Sequence, residues 1–242
     1  MKKLTLLALS FALFTQSSAF SADLDLGIYE LNRGEFRAAL AEFEPLVALE
    51  YAPAQYQMAL IYLNGYGVAK NPTKALELLH LAASQNYSEA LFDLSLLYSE
   101  GEVVKKDLKT AYALMEKAAN KDLARAQFNL GVMLYNGSGV QRDYLLASRW
   151  YQKAADQNYA LAQFNLALMY FEGKGVAKST KMSYIWNIIA AKNAYRMAEK
   201  SRDMDEHKLS VDEIKESREK ADAIYRKIVE QRELKLRQAA NR

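Results

Sequence analysis

Small and apolar residues recur along the chain with a fixed period of 36 residues. Gly65, Gly101, Gly137 and Gly173 lie on it, as do Val68, Val104, Val140 and Val176. So do Ala54, Ala90, Ala126 and Ala162, and the Ala-Ala pairs at 82–83, 118–119, 154–155 and 190–191. A repeat of this length indicates stacked supersecondary units rather than one compact domain. The units run over 52–87, 88–123, 124–159 and 160–195. Each predicts two helices. In the third, Ala126, Leu130, Gly131 and Leu134 recur at helical spacing, and a Gly-Ser-Gly break follows. Asp143 then suits an N-cap, and the next helix carries Ala147, Trp150, Tyr151, Ala154 and Ala155. Small residues at 59, 95, 131 and 167 mark where the two helices approach closely. One pair cannot bury such a stripe alone, so neighbouring pairs must stack.

The loop glycines are explained by chain reversal. A left-handed backbone costs other residues roughly 1–2 kcal/mol. Gly65, Gly137 and Gly173 each have a second glycine two residues on, whereas the second unit has Val103 there, which predicts a tighter or differently aimed loop. A phosphate cradle is disfavoured. These glycines follow helices, no Gly-Lys-Ser/Thr is present, and the pattern repeats. Before the units, residues 23–51 read as a degenerate repeat. Gly34 divides a helix over Leu24–Arg33 from one carrying Phe36, Ala39, Leu40 and Phe43, and Pro45 is expected to kink or end the latter. After them, residues 196–242 hold a polar continuation, a Ser210-Val211-Asp212-Glu213 capping box, and a helix with an apolar seam of Ile214, Ala221, Tyr225 and Ile228. One narrow seam among charges is what a terminal cap requires.

Composition narrows the chemistry. Cysteine is absent, which excludes disulfides, thiolate metal sites and cysteine nucleophiles. His80 and His207 are the two histidines, too few for a histidine cage. His80 reads as a surface or half-buried side chain among leucines, His207 lies in a charged linker, and Asp107 and Asp143 read as helix caps. The start, Met1-Lys2-Lys3 followed by the apolar run Leu4–Phe14 and small residues, has the form of a signal peptide over 1–22. Cleavage after Ala19 fits best, with Ala22 as the alternative. The run is short against the ~20 residues that span a bilayer, so an exported chain without stable membrane insertion is expected. The formal charge of +3 falls by two when Lys2 and Lys3 leave. The remaining excess is local, at Arg226, Lys227, Arg232, Lys235, Arg237 and Arg242. This tail reads as solvated helix, or alternatively as a contact to an anionic surface; nucleic acid is a poor candidate without a wider basic face.

Taken together, Ala-x3-Leu-small, the Gly-x-Gly-Val loop, the capping Asp and the closing Lys-Ala-Ala resemble the Sel1-like repeat, a longer-looped relative of the tetratricopeptide repeat. The third unit matches most fully, through Ala126 to Gly131, Asn136 to Val140, Trp150 and Lys153-Ala154-Ala155. Departures are Leu134 for Tyr, Asn71 and Ser179 for the capping Asp, and Ser183 for Ala. The resemblance implies an all-α, right-handed α-solenoid with a long C-terminal capping helix, its first helices lining a concave side. It places the ladder Tyr56, Phe92, Phe128, Phe164 on or beside that side, flanked by Leu60, Leu96, Val132, Leu168 and by Leu63, Ser99, Tyr135, Phe171. Asn64, Glu100, Asn136 and Glu172 would supply polar contacts at its edge. Several ladder residues could instead pack between repeats. Tyr135 and Phe171 have least reason to be core. The expectation is a non-catalytic periplasmic adaptor of a Gram-negative bacterium that binds a protein or peptide and needs no cofactor. A secreted factor acting on neighbouring cells and a cell-wall enzyme are the alternatives; the family members tied to wall chemistry carry paired cysteines that this chain lacks.

Overall fold

In the computed structural model, residues 22–240 are described, so residues 1–21 of the expected signal segment and Arg242 lie outside the described residues. The described chain forms helices α1 (Leu24–Arg33), α2 (Phe36–Ala48), α3 (Ala52–Asn64), α4 (Pro72–Ser84), α5 (Ser88–Glu100), α6 (Leu108–Asn120), α7 (Ala124–Asn136), α8 (Tyr144–Asp156), α9 (Ala160–Glu172), α10 (Thr180–Lys192), α11 (Arg196–Glu206) and α12 (Val211–Ala240). Each first helix packs on its own second helix and on the second helix of the preceding pair, which is the connectivity of an α-solenoid.

The capping residues read from the sequence perform that role. Asp143 accepts from the Leu146 N–H at 2.8 Å, Asp107 from Lys109 and Thr110 at 3.0 and 3.2 Å, Asn71 from Lys74 at 3.0 Å and Ser179 from Met182 at 3.2 Å. Ser210 and Glu213 form the reciprocal box, the Ser210 N–H donating to the Glu213 carboxylate at 3.0 Å and the Glu213 N–H to Ser210 Oγ at 3.3 Å. Pro45 does not end α2, which continues to Ala48.

Small residues sit where large partners need room. A Cβ on Gly131 would lie 2.7 Å from the Tyr151 ring, and Ser95 donates to the Ala111 carbonyl at 2.6 Å. The second loop glycine has a different reason: it touches the previous repeat. A Cβ on Gly139 would collide with the Leu108 backbone, and one on Gly175 with that of Tyr144. Val103 breaks this pattern as expected. Where Tyr66, Ser138 and Lys174 donate back to the carbonyls of Ile61, Met133 and Met169 at 3.2, 2.9 and 3.1 Å, Glu102 makes no such bond, and Val103 keeps negative φ.

A polar seam joins the repeats at their turns. Gln85 donates to the Glu50 carbonyl and to Gln55 Oε1, both at 2.9 Å; Gln157 reaches the Asp122 carbonyl and Gln127 Oε1 at 3.0 and 2.8 Å; Asn193 reaches Asn158 and Gln163 at 2.7 and 2.9 Å. Repeat two has Lys121 and buried Leu91 at the matching positions, so the seam is interrupted there.

The C-terminal end closes around α10, with α11 and α12 both packed on it. Tyr184 donates to Glu206 at 2.6 Å, and Arg218 donates to the same carboxylate at 2.9 and 3.1 Å and to the Tyr184 hydroxyl at 3.1 Å, so the three helices meet in one hydrogen-bonded cluster. Ala221 and Ile228 are buried as the cap seam requires, with Ile214 and Tyr225 half-buried beside them. The tail is more than a solvated extension. Helix continues to Ala240, and Lys235 pairs with Asp122 at 2.7 Å, back at the turn between α6 and α7.

Two predictions follow from this packing. Gly34 and Gly139 both have positive φ, 81° and 75°, yet a Cβ on Gly34 meets nothing within 4 Å. Gly34→Ala should therefore cost about 1–2 kcal/mol, the conformational penalty alone. Gly139→Ala should cost about 2–4 kcal/mol because the repeat contact is also forced open; equal losses in denaturant titrations would reject the contact. The second concerns Asp93, which accepts from the Tyr56 hydroxyl at 2.9 Å across the repeat one–two boundary. Burial pushes the Asp93 carboxyl up, against the downward pull of Tyr56 and Arg125. The folded state thus holds this proton more tightly than the unfolded chain. Its contribution to stability is present in acid and is lost as pH rises through the raised native value. Asp93→Asn should flatten that part of the thermal-melt pH profile and leave the variant at least as stable as the parent at neutral pH.

Candidate functional site

The first ladder lies between repeats. Tyr56 and Phe92 are buried, 8% and 7% exposed, and Phe128 and Phe164 are half-buried. Three of the four rings meet the residue that opens the next pair: Tyr56 packs on Tyr87 at 5.4 Å, Phe128 on Tyr159 at 5.3 Å and Phe164 on Tyr195 at 5.1 Å. Repeat three opens with Leu123, and there the Arg125 guanidinium covers Phe92 instead, 4.4 Å from its centroid. Tyr56 and Phe92 therefore pack inside the stack instead of facing a partner. The reason is geometric: the helix face that looks inward is also the face that the following repeat overlaps.

The flanking rows divide in the same way. Leu60, Leu96 and Val132 are half-buried against the core, while Leu168 is 39% exposed. Leu63 and Ser99 are half-buried. Tyr135, expected to be free, is half-buried and tied down. It packs edge-on against Tyr144 at 4.9 Å, donates to Glu172 at 3.3 Å and accepts from Lys174 at 3.0 Å. Lys174 also pairs with Glu172 at 2.9 Å, and the hydrogen bonds it donates to Tyr135 and Glu172 hold its ammonium above the ordinary lysine range. Tyr135 thus joins repeats three and four. Phe171, at the equivalent position one repeat on, is 36% exposed, with only the Lys208 ammonium over its ring at 4.2 Å.

The edge residues do not act as one row. All four are exposed, but Asn64 donates into its own helix, to the Leu60 carbonyl at 2.8 Å, and Glu172 is engaged by Lys174 and Tyr135. His80 is exposed, its ring edge-on to Tyr98 at 6.2 Å. His207 is exposed at the end of α11.

An apolar-walled concavity lies on the first-helix face at the C-terminal end. Phe164, Leu168 and Phe171 of α9 line a cavity of about 190 Å³ with Ser183 and Asn187 of α10, Ser201, Met204 and Asp205 of α11, and Lys208 beyond it. Its rim is apolar and its floor polar. Ser183 donates to Asp205 Oδ2 at 2.6 Å, and Asn187 Nδ2 donates to the same oxygen at 3.0 Å. All three residues are no more than 2% exposed.

The repeat register explains the floor. Ser183 stands where the other repeats have Ala75, Ala111 and Ala147; Asn187 stands where they have Leu79, Met115 and Tyr151; Asp205 stands where they have Ile61, Leu97, Met133 and Met169. Three apolar positions turned polar together and bond to one another. Ser183 alone was conspicuous as a departure from the repeat pattern. Asn187 and Asp205 could have been found by extending the 36-residue register past residue 195.

Residues 52–87, 88–123, 124–159 and 160–195 each match the Sel1 repeat. No curated protein matches the chain. Among solved structures, a Sel1 repeat protein from Oxalobacter formigenes is similar with a TM-score of 0.68 and 30% identity, over 73% of this chain and 72% of that one. A protective antigen present in uropathogenic Escherichia coli strains, displaying an SLR fold, is similar with a TM-score of 0.74 and 28% identity over 88% of this chain, which spans 47% of that protein. With four consecutive matches covering more than half of its length, and with the helix-turn-helix stacking described above, the chain belongs to the Sel1 repeat family.

Proposed function

We propose that this protein is a non-catalytic scaffold of the periplasm that seats a segment of an envelope protein on its first-helix face, anchored at the C-terminal repeats. Sel1 repeats generally mediate protein–protein interaction. The observation that carries the site is the contiguous exposure of Leu168, Phe171 and Met204, 39%, 36% and 62%, around a cavity. The matching positions in repeats one to three, Leu60, Leu63, Leu96, Ser99, Val132 and Tyr135, are all half-buried. An exposed apolar cluster next to a concavity favours an interaction site. Export rests on the charged start and short apolar run of the sequence. The likeness to an antigen of uropathogenic strains supports placement in or beyond the envelope, and a secreted role would show as protein confined to the culture medium.

Photo-crosslinking from position 171 in cells, with fractionation, tests both parts. Capture of a discrete envelope partner is expected, with the protein in the periplasmic fraction. Phe171→Asp should weaken that partner by about 30-fold or more, the scale of an aromatic anchor, with the helical circular dichroism unchanged. Tyr135→Phe should lower stability by about 0.5–1.5 kcal/mol and leave capture intact, because its hydroxyl serves the repeat three–four contact. Unchanged capture by Phe171→Asp would reject the site.

A further inference from the structure

The floor of the α9–α10–α11 cavity carries more acceptor capacity than the protein itself satisfies. Asn187 is 2% exposed, its Nδ2 is committed to Asp205, and its Oδ1 has no hydrogen-bond partner. The amide orientation is dictated by Asp205, which needs donors from both Ser183 and Asn187. The second Asp205 oxygen, Oδ1, faces the Lys208 ammonium at 3.9 Å, too far for a hydrogen bond. A buried acceptor left unpaired is destabilising, and native proteins leave few of them. A purely structural role for the Ser183–Asn187–Asp205 plug accounts for Asp205 Oδ2. It leaves Asn187 Oδ1 unpaired and closed to solvent, and Asp205 Oδ1 with only a long ion pair to Lys208.

The Asp205 oxygen belongs to a residue that lines a cavity walled by Phe164, Leu168, Phe171 and Met204. Aromatic faces, an aliphatic wall and a carboxylate at the base form a site for a cation on a hydrocarbon stem. Lys208 shows part of this chemistry at the mouth, where its ammonium sits 4.2 Å from the Phe171 ring centroid while 45% of its side chain stays exposed. We propose that the cavity is a specificity pocket for a cationic side chain, arginine or lysine, of the bound segment. Its stem packs on Phe171 and Met204, and its N–H groups donate to Asp205 Oδ1. This rests on the reading of the first-helix face as a binding surface and adds the chemistry of what it selects.

The test uses the full chain and four fluorescently labelled, blocked pentapeptides, Ala-Leu-Xaa-Leu-Ala, with Xaa arginine, lysine, norleucine or glutamate. Anisotropy titrations should rank arginine and lysine at least about tenfold tighter than norleucine and glutamate. Asp205→Asn should bring the arginine peptide to the norleucine level. Because Asp205 is buried and that variant could disturb α11, Met204→Lys is the second probe: it changes an exposed wall residue, leaves the plug untouched, and should weaken the arginine peptide similarly by repulsion. Lys208→Ala, which removes the resident cation, should tighten it severalfold. On binding the arginine peptide, the Asn187 side-chain amide resonances should shift. Norleucine binding as well as arginine, glutamate binding best, no binding by any peptide, or an unmoved Met204→Lys variant would each overturn the pocket. Crosslinking from position 171 separates the two readings, since partner capture without cation preference sinks the pocket and keeps the surface.

Discussion

The structure depends on contact between one repeat and the next, because no helix pair here can bury its own apolar stripe. That contact is made at backbone distance. The second glycine of a repeat's loop rests on the start of the previous repeat's second helix, at Leu108 for Gly139 and at Tyr144 for Gly175. The first-helix aromatics Tyr56, Phe128 and Phe164 then lie under the residue that opens the following pair, and a glutamine–asparagine seam ties the turns on either side of repeat two. Burial of this kind contributes roughly 25 cal/mol per Å² of apolar surface. The glycines decide whether the surfaces can come close enough to obtain it.

A ladder of this sort has two ends, and the candidate site is a consequence of how one of them is finished. Inside the stack each inward face is overlapped by its successor, so Tyr56 and Phe92 disappear from the surface. At α11 the successor is short, polar and followed by a cap helix that packs on α10. The face of α9 is then incompletely covered, and Leu168 and Phe171 stay open beside a polar floor. The terminus that stabilises the solenoid is therefore also the place where its surface becomes available for recognition.

Legibility differed by level. Helix caps at Asn71, Asp107, Asp143 and Ser179 were readable because an N-cap is a local bond between neighbours in sequence. The altered loop at Val103 was readable because one glycine's absence breaks a periodic pattern. The site was only partly readable. Phe171 and Tyr135 occupy equivalent positions in neighbouring repeats, yet one is exposed and the other clamped by Glu172 and Lys174. Nothing in either residue's own surroundings in the sequence distinguishes them. The difference comes from what stands one repeat further on, where Lys208 and Ser210 take the register positions of Glu172 and Lys174 and Phe171 has no hydroxyl to bond them.

By itself, the sequence determined the all-α class, the tandem helix pairs, the caps and the cap helix, since each follows from periodicity or from bonds spanning a few residues. Only the tertiary structure decided which of the periodic apolar positions face a neighbour and which face solvent, and that Ser183, Asn187 and Asp205 converge on one floor. Those outcomes depend on surfaces brought together from segments some 20 residues or more apart, as in the bond from Ser183 to Asp205 with its separation of 22 positions. A repeat pattern treats equivalent positions as equal, and stacking makes them unequal at the ends.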